Sequence, residues 1–323
     1  MKVAIIVLSL VLAVLVGVAV WLYTPDESRA ALEAKYFTAP SAYVQVAGLR
    51  LHVRDSGPRD APVLVLLHGF GSSLLTWEPW AERLSNDYRV IRFDLPGFAL
   101  TGPDPTGDYS DRRSLDVVAA LMDRLGVERA SLVGNSLGGK IAWNFAARNP
   151  DRVDRLILIS PDGFASPGFE YGKQPSVSLV VRLLPYVLPK ALLRASLTPA
   201  YGDSGNLSED VVTRYRDMML APGVRRAMVA RMEQVKLADP VPLLRRIQAP
   251  TLLLWGEKDA MIPFTNAADY LQAIPEATLA PFPALGHVPF EEAPSASLEP
   301  VNKFLASAKA GGVEGLPQQS RAR

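Results

Sequence analysis

The sequence predicts an α/β fold: a mostly parallel sheet with helices on both faces, a helical cap insertion and an N-terminal transmembrane helix. Three observations predict it. The chain opens on a long uncharged run. Strand and helix signals then alternate, which implies parallel strands joined by helical crossovers. The alternation stops between about Pro161 and Pro240, in a stretch rich in proline and helical patterns, and then resumes.

Val3 to Tyr23 is 21 residues without a charge. A helix of that length spans about 31 Å, the thickness of a bilayer core. Trp21 and Tyr23 stand at one end, where interfacial aromatics belong. No convincing small-x-small cleavage site follows, so the segment reads as an uncleaved anchor over residues 1–24 rather than a removed signal; export after cleavage is the alternative. Lys2 before the span and Asp26 and Glu27 after it favour a body on the extracytoplasmic side, although Arg29 and Lys35 also follow. Residues 25–42 read as a polar, partly helical linker.

Tyr43–Val46 and Leu49–Arg54 flank Ala47-Gly48 as a hairpin. Pro62–Leu67 is a continuous apolar run, expected of a strand buried on both faces. Ser73–Leu84 reads as a helix and Tyr88–Phe93 as a strand. Arg112–Leu125 has apolar residues at helical spacing. Ala130–Val133, Gly138–Arg148 and Val153–Ile159 read as strand, helix and strand, closing a first core part over 43–160. Residues 161–248 read as a helical cap. The second core part, 249–308, holds strands at Ala249–Trp255 and Ala277–Pro281 and helices at Phe264–Ala273 and Glu291–Ala308. Residues 309–323 read as a disordered polar tail.

Composition narrows the chemistry. The 323 residues carry 34 Lys+Arg against 33 Asp+Glu, a net charge of +1, which argues against a nucleic-acid binder. There is no cysteine, hence no disulfide framework, thiolate nucleophile or Cys-ligated metal. Only three histidines exist: His52, His68 and His287.

The sharpest local motif is Gly134-Asn135-Ser136-Leu137-Gly138, a G-x-S-x-G between a strand and a helix. A tight strand-to-helix turn would lift Ser136 to the C-terminal sheet edge, and side chains at Gly134 and Gly138 would collide there. A serine nucleophile needs a base. His52 lies in the hairpin and reads as a strand-face residue. His68 follows the apolar strand and reads as support for its loop. His287, in a glycine-preceded loop after the last strand, is the expected base. Its acid partner is expected at Asp259, after the strand TLLLW, with Glu257 and Asp162 as competitors.

From about Tyr43 to Ala308 the chain resembles the α/β-hydrolase superfamily. The resemblance rests on HGFG at 68–71, DLPGF at 94–98, GNSLGG at 134–139, WGEKD at 255–259 and GHVPFEEAP at 286–294. It implies Ser136, Asp259 and His287 as the triad, and the backbone N–H groups of Phe70 and Leu137 as the oxyanion hole. Ala99 and Thr101 depart from the family's second glycine and its serine in the D-x-P-G-x-G-x-S loop, which puts that loop's conformation in question.

The expected reaction is acyl transfer through an acyl-enzyme, without metal or organic cofactor. Haloalkane dehalogenases and epoxide hydrolases of this fold use an aspartate nucleophile, so Ser136 excludes them. Carboxylester hydrolysis leads. C–C hydrolysis of the meta-cleavage-product type is the alternative, because GNSLGG also resembles that elbow, but Val288 stands where those enzymes usually carry an aromatic. A haloperoxidase-like side activity and a non-catalytic receptor on the same fold remain open. Residues 177–197 are apolar with Arg182, Lys190 and Arg194, a lid for an acyl pocket or a membrane surface. With the anchor, this points to a lipophilic ester, similar to the membrane-anchored monoacylglycerol-lipase-like branch. Oligomeric state is left open.

Overall fold

The computed structural model describes residues 2–165, 170–173 and 177–311. The opening run forms α1 (Lys2–Leu22). Its window Ile5–Leu22 has a mean hydropathy of 3.0 and none of it is buried, so it is long and apolar enough to cross a membrane. Helix α2 (Arg29–Tyr36) is capped by Ser28, whose side chain accepts from Ala31 N. Then come β1 (Ser41–Val46) and β2 (Leu49–Ser56), joined at Ala47 and Gly48, both with positive φ as a tight hairpin turn requires.

The parallel core follows as β3 (Val63–Leu67), α3 (Glu78–Leu84), β4 (Arg89–Phe93), α4 (Asp111–Arg124), β5 (Ala130–Asn135), α5 (Leu137–Arg148) and β6 (Val153–Ile159). The cap carries α6 (Leu179–Arg182), α7 (Lys190–Leu197), α8 (Glu209–Met219), α9 (Val224–Gln234) and α10 (Val241–Leu244). The chain returns through β7 (Thr251–Gly256), α11 (Asn266–Ala273), β8 (Ala277–Phe282), α12 (Pro289–Glu292) and α13 (Pro294–Gly311).

The eight strands form one sheet in the order β1-β2-β4-β3-β5-β6-β7-β8. Only the pairings β1–β2 and β2–β4 are antiparallel. The interior strands β3, β4, β5 and β7 are buried almost throughout, covered on both faces; β3 is wholly apolar, while β4 buries Arg89 and Arg92 against Asp55 and Glu78. Because β3, β5, β6, β7 and β8 run parallel, their C-terminal ends share one sheet edge, where an open α/β sheet places its ligands.

Several sequence expectations shift in detail. The helix expected over 73–84 is a 3-10 turn, Leu74–Trp77, followed by α3. The last helix divides at Ala293 into α12 and α13. Residues 309–311 continue α13, while the expected tail lies outside the described residues from 312 on. The largest correction concerns the linker. Residues 25–42 are built into the body: Leu32 is buried, Arg29 donates to Leu100 O, and Tyr43 Oη donates to Glu33. Arg54 Nη2 reaches Tyr36 O and Thr38, and Lys35 and Tyr36 both donate to Asp217 of the cap. Polar composition suggested a tether; long-range partners make it part of the fold.

Candidate active site

Ser136 is the N-cap of α5, with φ 53° and ψ −119°. A non-glycine residue held there is strained, and strain of this kind collects at functional sites. The surroundings enforce it. A Cβ on Gly134 would lie 2.3 Å from Gly138 O, and one on Gly138 would lie 2.1 Å from Leu67 O. Neither glycine has a positive φ; each is needed because backbone passes against backbone. Between buried Asn135 and Leu137, Ser136 alone keeps partial exposure, so its side chain looks out of the packed elbow.

His287 and Asp259 are brought together. Nδ1 of His287 lies 2.7 Å from Asp259 Oδ2, and the carboxylate is fully buried. Asp259 Oδ1 accepts from Met261 N at 2.8 Å and Ile262 N at 2.9 Å. Two N–H donors therefore hold one oxygen and aim the other at the ring. Facing a carboxylate, Nδ1 carries the proton and Nε2 keeps its lone pair. The loop is tied to the elbow, since Asn135 Nδ2 donates to His287 O at 3.0 Å. Among the described residues, no hydrogen bond joins Ser136 Oγ to His287; catalytic contacts of this kind often tighten only when substrate binds.

Phe70 and Leu137 lie beside the serine. A Cβ on Gly69 would stand 3.4 Å from Ser136 Cβ, so the Gly69 backbone packs directly against Ser136. Neither the Phe70 N–H nor the Leu137 N–H has a backbone or side-chain acceptor among the described residues. Two unengaged amides beside an elbow serine are the donor set an oxyanion needs.

The competing groups separate. Glu257 is exposed and makes no hydrogen bond to the ring among the described residues. Asp162 follows β6, its N–H donates to Ser136 O at 3.1 Å, and burial pushes its carboxyl above the usual range. Its carboxylate makes no hydrogen bond to His287. His68 is wholly buried: Nδ1 faces Gly69 O at 2.8 Å and Nε2 faces Leu95 N at 2.9 Å. A carbonyl only accepts and an amide N–H only donates, so His68 is fixed as the neutral Nδ1–H tautomer and is spent on loop structure. Burial pushes its pKa down, consistent with that role.

Two arrangements escaped sequence reasoning. His52 is a strand residue of β2, as expected, but its face is buried and it partners Asp94, with Nδ1 2.7 Å from Oδ2. Burial alone would raise the Asp94 carboxyl, but His52 and the N–H of Leu74 hold it below the usual carboxylate range. Asp94 also accepts from Leu100 N, so it organises the departing loop. In that loop Ala99 adopts φ 44°, and Thr101 Oγ1 donates to Asp94 O while accepting from His52 N. The second arrangement is a carboxylate pair after His287. Glu291 takes hydrogen bonds from Thr76, Tyr201, Arg214 and Tyr215. Glu292 accepts from Gly286 N, Gly202 N and Asp203 N. Together they staple the His287 loop to the cap. The EE pair was visible in the sequence, but its partners are up to 215 residues away.

The fold and this constellation define a hydrolase. The chain belongs to the alpha/beta hydrolase fold family, whose sequence profile matches residues 62–294. It is similar to a 2-hydroxy-6-oxo-6-phenylhexa-2,4-dienoate hydrolase from Burkholderia cepacia, 28% identical over 250 residues, 75% of this chain and 86% of the relative. A 2-hydroxy-6-oxononadienedioate/2-hydroxy-6-oxononatrienedioate hydrolase 2 from Pseudomonas putida is 31% identical over 253 residues, covering 74% and 85%. The crystal structure of a membrane phospholipase A, a bacterial virulence factor, superposes with a TM-score of 0.70 at 27% identity over 96% of this chain and 99% of that one.

Proposed function

We propose that the protein is a serine hydrolase of lipophilic carboxylic esters, monoacylglycerol-like in class, held to a membrane by α1 with its body on the extracytoplasmic side. Ser136 attacks the ester carbonyl while His287 Nε2 takes its proton. Asp259 fixes the imidazole tautomer and offsets the imidazolium charge. The N–H groups of Phe70 and Leu137 receive the oxyanion. His287 then protonates the leaving alcohol, and water, activated by the same ring, releases the acid. No step calls on a cofactor.

The observation that carries the reaction class is Ser136 on its strained elbow beside two unengaged amides, with His287 oriented by Asp259. The substrate class is supported by α1 and by the match to the membrane phospholipase A. That match covers 96% of the chain, which leaves too little out to omit the 21-residue helix; the C–C hydrolases cover 74–75%. C–C hydrolysis is the second reading, favoured by the names of those relatives. Against it, a buried valine, Val288, stands where those enzymes usually carry an aromatic.

A hydrolysis panel tests both readings: p-nitrophenyl esters of graded chain length, monoacylglycerols and a meta-cleavage product. The expected outcome is ester turnover rising with acyl length and lost, with phosphonate labelling, in Ser136→Ala. Turnover of the C–C substrate alone replaces the first reading by the second. Unchanged ester turnover in Ser136→Ala removes the nucleophile assignment.

A further inference from the structure

The segment after α1 is fastened to the cap. Tyr23 pairs with Val187 in an antiparallel bridge. Thr24 N donates to Tyr186 O at 2.8 Å, and Leu188 N donates to Thr24 Oγ1 at 3.1 Å. Arg225, its side chain only 2% exposed, donates to both Thr24 O and Asp26 Oδ1 at 2.7 Å. Gly223 N and Glu27 N close the joint, the first onto Asp26 and the second onto Leu220 O. The end of α1 therefore has a fixed place beside α6 and the turn that follows it.

The cap surface at that joint is apolar and uncovered. Leu179 is 81% exposed, Val180 71%, Leu183 54% and Tyr186 48%. Contiguous exposed apolar groups of this kind mark an interaction surface. The bases of the same stretch are already paired, Arg182 with Glu233 and Lys190 and Arg194 with Glu209, so the stretch itself presents an apolar rather than a cationic face. Level decides the occupant. A 21-residue helix ends about 31 Å from its start, one bilayer core, so the lipid boundary falls near Leu22–Thr24. The backbone of Tyr186 is bonded to Thr24 at that level, where aromatic side chains such as those of Tyr186 and Tyr23 favour the interface. Through Tyr23 and Val187 the patch continues the exposed face of α1.

We propose that Leu179, Val180, Leu183 and Tyr186 are seated in the interfacial layer of the bilayer that holds α1, so that the cap rests on lipid and ester reaches the site from the membrane. The proposal rests on α1 being membrane-spanning. Contact is apolar, so it is insensitive to salt.

The absence of cysteine makes the test clean. Full-length Val180→Cys, Leu183→Cys and, as a remote control, Asp116→Cys are labelled with an environment-sensitive dye in phosphatidylcholine vesicles containing doxyl lipid. The expected result is quenching at 180 and 183 but not at 116, equal at low and high salt. If the chain resists carbonate extraction but 180 and 183 are quenched no more than 116, the seating is overturned while the anchor stands. Carbonate release of the full-length chain overturns the anchor, and the seating with it. Cross-linking of Leu183→Cys between copies without quenching assigns the face to a second copy instead. In a parallel assay, Val180→Asp/Leu183→Asp should hydrolyse vesicle-borne monoacylglycerol about tenfold more slowly, roughly the factor one buried leucine is worth, and p-nitrophenyl acetate at an unchanged rate. Equal losses on both substrates overturn the proposal.

Discussion

Asp259→Asn isolates the role assigned to the buried carboxylate. Oδ1 accepts from two backbone N–H groups, Met261 and Ile262. An amide nitrogen placed there would face two donors, so the asparagine keeps its oxygen at that position. Its NH2 group must then face His287 Nδ1, which Oδ2 now approaches at 2.7 Å. A donor on that side forces Nδ1 to accept, moves the ring proton to Nε2, and leaves no lone pair for Ser136. The fold loses little, because both N–H bonds and a hydrogen bond to the ring survive. The expected loss in kcat is about 10⁴-fold, or ~5.5 kcal/mol of barrier, with KM and the melting temperature nearly unchanged. Steady-state hydrolysis of p-nitrophenyl butyrate and thermal unfolding measure both quantities. The parallel variant Asp162→Asn, which removes the carboxylate without a bond to the ring, should change kcat by less than about threefold. A kcat for Asp259→Asn within tenfold of the parent, in folded protein, would refute the tautomer argument.

Three further outcomes follow from the geometry. Gly138→Ala places a Cβ 2.1 Å from Leu67 O, so the elbow must move; a loss of about 3 kcal/mol in urea unfolding is expected, and a neutral change would show that close approach does not set this glycine. Glu291→Gln leaves Arg214 without its ion pair; because Arg214 keeps some contact with water, the cost should be about 2–3 kcal/mol, below the full range for a buried pair, and an unchanged melting temperature would remove the staple from the account of cap attachment. His68 gives a pH dependence: burial keeps its native ring neutral, while the unfolded ring binds a proton below its usual pKa near 6.5. The unfolded state then holds more protons, so stability is full above about pH 6.5 and falls as pH drops through that value, by up to ~1.4 kcal/mol per pH unit. Asp94, held low, contributes its own loss only below the ordinary carboxylate range. Urea midpoints from pH 8 to 5 in the Asp162→Asn background, where the raised Asp162 carboxyl cannot offset the trend, check this, and a flat profile contradicts it.

Local chemistry determined much of this protein by itself. A continuous apolar run marked β3, because a strand covered on both faces is apolar along its length, and strand signals alternating with helical ones marked β5, β6 and β7. The G-x-S-x-G motif marked the elbow, because only glycine allows backbones to cross that closely. The histidine count left His287 as the expected base. Tertiary structure decided what depends on distant partners. It separated Asp259 from Glu257, two residues apart in one loop, because only one reaches a ring 28 residues later. It turned His52 into a buried partner of Asp94 and paired Glu291 with Arg214. It also converted a polar linker into a joint, since the Arg225, Leu220 and Tyr186 groups that bind residues 24–27 lie more than 160 positions away. Periodicity reports which face of an element is apolar. Which charged or polar group meets which across the fold is a property of the assembled chain, and here that property aims the histidine and sets the place of the end of α1.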